Sequence, residues 1–137
     1  MTPYEFAKLE IGTTEVPGPV NNPRIVEYHA TTTLKATDDE TSWCSSFVNW
    51  CVKKAGFKGT NSAAARSWLK WGVVTDDPKE GDIVIFKRPP SPTSGHVAFF
   101  VKKEGDFIYC LGGNQSNQVR ISKYKASDLL GYRKAYA

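Results

Sequence analysis

The stretch DETSWCSSFVNWC, residues 39–51, runs acidic and hydroxyl side chains and a tryptophan into a cysteine at the point where the chain turns helical. Cys44, Val48, Cys51, Val52 and Ala55 recur at helical spacing and Gly56 ends the run, so an amphipathic helix is expected, capped by Ser42 or Thr41. Cys44 then falls in the first turn, where free backbone N–H groups and the positive end of the helix dipole favour an anion and lower a thiol's pKa. Cys44 also continues the apolar stripe, and free cysteine is among the most buried residue types. Position alone leaves nucleophile and core thiol both open.

Upstream of this helix, residues 2–12 (TPYEFAKLEIG) carry Thr2 as N-cap, Pro3 at the first helical position, Glu5 to close a capping box and Gly12 as the stop. Residues 16–23 (VPGPVNNP) form a connector whose Asn22-Pro23 opens a second short helix through Tyr28, and residues 30–40 are loop. Downstream, residues 62–72 (SAAARSWLKWG) predict a fourth helix from Ser62 to Gly72. After Gly81 the segments DIVIFK (82–87), HVAFFVK (96–102), DFIYCLG (106–112) and QVRISKY (118–124) are short and rich in β-branched and aromatic residues, and residues 129–137 supply a last strand. Helices first and strands second predict an α+β fold, with N-terminal helices packed on a C-terminal antiparallel sheet.

With 137 residues and 40% hydrophobic content, the chain is expected to form a single domain spanning 1–137. The amino end has no basic, apolar signal-like segment, and no apolar run is long enough to span a bilayer; synthesis in the cytoplasm without a signal peptide and no stable membrane insertion are the expectations. Three cysteines, Cys44, Cys51 and Cys110, match neither a disulfide framework nor a CxxC zinc pattern. On one helix Cys44 and Cys51 would stand about 10 Å apart, beyond disulfide reach. The formal charge of +4 suits an anionic partner, but the basic residues are scattered, unlike the dense stripe of a nucleic-acid binder.

A thiolate nucleophile needs a proton partner, and the two histidines differ in context. His29, in or just past the second helix, reads as a surface or packing residue. His96 begins the HVAFFVK strand directly after a Pro/Ser loop, where a rigid strand presents it at a sheet end. The imidazole in turn needs an orienting carboxylate or amide. Asn114, Gln115, Asn117 and Gln118 follow Gly112-Gly113; Asn117 and Gln118 read as hairpin turn residues, and Asn114 is the expected orienting group, with Gln115 next in line.

The order Cys44, His96, Asn114, with NNP and IVEYH (21–29), DETSWCSSFVNWC (39–51), ARSWLKWG (65–72), GDIVIF (81–86), GHVAFF (95–100) and LGGNQSNQV (111–119), resembles the CHAP and NlpC-type papain-like peptidoglycan hydrolases, and among them small single-domain phage endolysins. The resemblance implies that Cys44 is the nucleophile, His96 the general base and acid, and Asn114 the group that fixes the ring. It implies an acyl-enzyme formed from an amide of bacterial peptidoglycan, without a cofactor, on a monomer that reaches the wall after release or export. A non-catalytic wall-binding module and a secreted amidase effector are the alternatives. Many relatives carry a glutamate where this chain has Gly112. The Cys44 backbone N–H is the first expected oxyanion donor, with Thr41, Ser42 or the Trp43 indole as the second. Trp43, Asp39, Glu40 and Gln115 are the candidates to meet substrate; the acidic run lacks an EF-hand pattern, so no metal is expected.

Overall fold

A computed structural model describes residues 2–15, 22–32, 43–91 and 94–135. Helix α1 (Pro3–Leu9) begins with the expected capping box: Thr2 Oγ1 accepts from the Glu5 N–H while Glu5 Oε1 accepts from the Thr2 N–H. Helix α2 (Pro23–His29) is capped by Asn22, whose side chain accepts from the Arg24 N–H. Helix α3 (Cys44–Lys54) starts on the cysteine itself. Trp43 occupies its N-cap position and makes no side-chain cap, and Thr41 and Ser42, the expected caps, lie outside the described residues.

The fourth expected helix is a 3-10 segment, Ala65–Lys70, that starts three residues after Ser62. Its buried residues, Ala65 and Trp68, and the buried Trp71 that follows, recur every third position, the period of a 3-10 helix rather than of an α-helix. Two indole bonds hold that geometry: Trp68 Nε1 donates to Ser45 Oγ on α3 and Trp71 Nε1 to the Lys58 carbonyl.

Six strands follow: β1 (Val73–Thr75), β2 (Ile83–Lys87), β3 (Gly95–Glu104), β4 (Phe107–Gln115), β5 (Gln118–Lys125) and β6 (Leu129–Lys134). They form one antiparallel sheet in the order β1-β6-β2-β3-β4-β5. Strand β1 was not expected from sequence; it is three residues long and its side chains are largely exposed, so it carries no apolar alternation to read.

The sheet separates two apolar clusters because successive strand residues point to opposite faces. Val97, Phe99 and Leu111 pack with Phe47, Val48 and Trp43 on the helix side. Ala98, Phe100 and Cys110 join Val84, Phe86, Ile108 and Tyr132 in the second cluster. The fold is therefore α+β with N-terminal helices on an antiparallel sheet, as the sequence pattern requires.

One irregularity sets up the site. Along β4 and β5, Gly112 pairs with Arg120 and Gln115 with Gln118, so Gly113 and Asn114 together oppose the single residue Val119. That is a β-bulge, and Asn114 adopts the left-handed φ of 59° that it requires. Ser116 and Asn117, both at positive φ, close the two-residue hairpin.

Candidate active site

Cys44 is brought to the start of β3 by the packing of α3 on the sheet, and it is 2% exposed. His96 and the Val97 backbone both act on its sulfur. Burial alone would push the thiol up, but the charge and hydrogen bond of His96, the Val97 backbone bond and the charge of Arg88 outweigh it and bring the thiol down to about 7. The other two cysteines behave oppositely. Burial raises both Cys51 and Cys110, and the charge of Glu10 adds to it at Cys51. All three are free thiols.

His96 is buried on β3, paired across the sheet with Phe86. Its Nε2 lies 2.9 Å from Gln115 Oε1. The amide orientation is fixed independently, because Gln115 Nε2 donates to the Arg120 carbonyl at 2.6 Å and to the Cys110 carbonyl at 3.3 Å. Oε1 is thus an acceptor, Nε2 of His96 carries the proton, and Nδ1 is left for the thiol. Nδ1 is buried and makes no hydrogen bond among the described residues. Tyr124 stacks on the imidazole at 4.8 Å and 28° and on Phe86 at 5.1 Å, so the ring is gripped on a face as well as at an edge.

Among the described residues the amide that meets the His96 ring is that of Gln115, not the expected Asn114. Gly112 lies on the His96 face of the sheet, and regular alternation would put Asn114 there two residues later. The bulge inserts one residue and exchanges Gln115 for Asn114 on that face. Gly112 completes the arrangement: a Cβ there would stand 2.7 Å from Gln115 Oε1 and 2.8 Å from the Ala98 Cβ. The space above Gly112 is occupied by the Gln115 amide arriving from further along the strand. A glycine pair inside a strand is a bulge signal, and was the one clue in the sequence to this exchange.

Two candidate substrate contacts are also corrected. Trp43 is fully buried, stacked near Tyr28 at 5.9 Å, and its indole N–H donates to Glu15 at 2.7 Å. It is not among the residues that line the Cys44 cleft, and its indole N–H is already given to Glu15. Gln115 is spent on His96 and two carbonyls, and it is buried. Asp39 and Glu40 lie outside the described residues. His29 is a packing residue, buried at the end of α2 with Nδ1 2.9 Å from Ser46 Oγ.

Access to the sulfur is through a cleft of about 290 Å³ lined by Cys44, Ala63, Ala64, Ala65, Arg88, Ser94 and Gly95. Ala63, Ala64, Ala65 and Arg88 were not among the site candidates read from sequence, since methyl groups and an isolated surface arginine carry no chemical pattern that marks a site. No group of three or more potential metal ligands occurs among the described residues. The arrangement can do nucleophilic chemistry: a thiol of lowered pKa, an imidazole with one nitrogen free toward it, and an amide that sets the tautomer.

The CHAP domain family model matches residues 36–114. The chain belongs to the CHAP family. CHAP is a family of peptidoglycan-hydrolase type, typically cysteine peptidases and amidases, and the matched segment runs from just before Cys44 to the bulge. Among solved structures, this CHAP chain is similar to a "similar to lipoprotein, NLP/P60 family" protein from Staphylococcus aureus subsp. aureus Mu50, at 17% identity and a TM-score of 0.55. The superposition covers 99% of this chain and 41% of that one, so the chain spans about two fifths of that structure's length. The likeness is one of fold, papain-like in type. Comparison with curated proteins finds no match.

Proposed function

We propose that this CHAP domain hydrolyses an amide bond of the bacterial cell-wall peptide through a Cys44 thioester, with His96 as proton carrier and Gln115 as the residue that positions it. The observation that carries the reading is the imidazole held between a thiol lowered to about 7 and an amide of fixed orientation. His96 Nδ1 takes the Cys44 proton, and the thiolate attacks the scissile carbonyl carbon. The oxyanion forms beside the first turn of α3, where the Cys44 backbone N–H and the helix dipole stabilise it. Imidazolium then protonates the departing nitrogen, the C–N bond breaks, and a thioester remains. Water, deprotonated by His96, attacks the thioester and restores the thiol.

In this reading the protein is a lytic enzyme of endolysin type that acts on the wall as a monomer, after release or export from the cytoplasm. No described helix is long and apolar enough to cross a membrane. The test is digestion of purified peptidoglycan by the native protein and by Cys44→Ser, with fragments identified by mass spectrometry. Release by the native protein alone is expected, and the fragment masses name the bond. Sedimentation of both proteins with the wall and release by neither would replace hydrolysis with binding.

A further inference from the structure

Two arginines flank the Cys44 cleft, and they are used differently. Arg66 donates from Nε to the Ser94 carbonyl, which ties the 3-10 segment to the start of β3. Arg88 lies just past β2, is exposed, lines the cleft, and forms neither an ion pair nor a side-chain hydrogen bond among the described residues. It shares the cleft with Cys44, and its charge acts on the Cys44 thiol and on Tyr124. Three successive alanines, Ala63, Ala64 and Ala65, line the same cleft and present nothing larger than a methyl group. A planar, permanently charged donor and small apolar groups in one cleft select a particular peptide.

We propose that Arg88 is a specificity-determining residue: its guanidinium receives a free carboxylate of the substrate peptide next to the bond that Cys44 attacks, while Ala63–Ala65 admit only a small side chain there. The substrate class is an anionic peptide with alanine-sized neighbours at the scissile amide. This deepens the hydrolase reading and rests on Cys44 being the nucleophile. A bulky side chain would meet the alanine wall, and an amidated peptide would leave Arg88 without its counter-charge. Because the chain is net cationic, binding of an anionic peptide is also favoured at longer range.

The pair iodoacetate and iodoacetamide tests the contact without requiring turnover. Both alkylate a thiolate, forming an S–C bond and releasing iodide, and they differ chiefly in a carboxylate against a carboxamide. A change in thiol pKa alters both rates alike and cancels in their ratio. The full chain is expected to show an iodoacetate-to-iodoacetamide rate ratio that falls about tenfold in Arg88→Gln, is largely kept in Arg88→Lys, and shrinks with added salt. In parallel, two synthetic wall-type peptides that differ only in that carboxylate and its carboxamide are compared. The native protein should prefer the carboxylate form, chiefly through KM, and Arg88→Gln should lose the preference. A ratio unchanged within about twofold between native and Arg88→Gln overturns the inference, since charge-assisted contacts of this type are worth more than that. If Cys44 reacts with neither reagent as a thiolate titrating near 7, the nucleophile reading itself fails and the inference with it. If it reacts so but the ratio does not move, only the role of Arg88 falls.

Discussion

At the scale of single residues, the distribution of thiol pKa among three cysteines is the sharpest signature. Cys44 is held near 7 by its histidine, its backbone neighbour and Arg88 despite burial, whereas burial raises Cys51 and Cys110. Alkylation of the folded protein by iodoacetamide is therefore expected to modify Cys44 alone, with a rate that climbs as pH rises through about 7 and levels off above it. Peptide mapping of the alkylated protein across pH checks both points. The exchange of Gln115 for Asn114 makes a second prediction. Gln115→Ala should lower turnover about 10- to 100-fold, less than the roughly 10²–10⁴ carried by a general acid–base such as His96. Asn114→Gly, which keeps the φ of 59° accessible, should cost less than about fivefold. Steady-state kinetics on the wall substrate decide it, and the reverse order would return the orienting role to Asn114.

At the scale of elements, the site depends on the start of α3 and the bulge of β4. The N-cap position of the helix is Trp43, whose side chain makes no cap bond, so the donors of its first turn are not consumed by an Asp or Ser at that position. The bulge lets Gln115 fold back over Gly112, and the absence of a Cβ there is part of the design. Gly112→Ala would place a methyl 2.7 Å from Gln115 Oε1. It should displace the amide and cut activity at least tenfold while costing about 1–3 kcal/mol of stability, the usual range for overpacking. Gly113→Ala meets the Trp43 ring and Phe47 Cβ at 2.7–2.8 Å, and its loss should be mainly of stability. Urea unfolding beside activity assays of the two variants separates the effects.

At the scale of the molecule, a helical layer on a sheet fixes Cys44 against His96 across residues far apart in the chain. Trp68 links the layers: it is fully buried, and its indole N–H donates to Ser45, whose hydroxyl donates in turn to the Ser62 carbonyl. Trp68→Ala should destabilise the fold by about 3–5 kcal/mol, as large aromatic truncations in cores do, and chemical denaturation would measure it. Much of this architecture was legible in the sequence, because caps, glycine stops and apolar periods are local properties of a few residues. Thr2 with Glu5, Asn22 with Pro23, and the β-branched and aromatic runs of β2 to β5 specify their elements without reference to the rest of the chain. The same local signals put Cys44 at a helix start and His96 at a strand start. What only the tertiary structure decided was which side chains meet. The burial of Trp43 follows from its packing under Gly113, and its bond to Glu15 joins a distant segment. The 3-10 period of residues 65–70 follows from indole bonds to α3 and to the Lys58 carbonyl. The choice of Gln115 over Asn114 follows from the register of β4 on β5, where one extra residue reverses the side of the sheet that each side chain faces. Secondary structure is set by neighbours in sequence, but the face a residue presents and the partner it finds are set by pairing between strands.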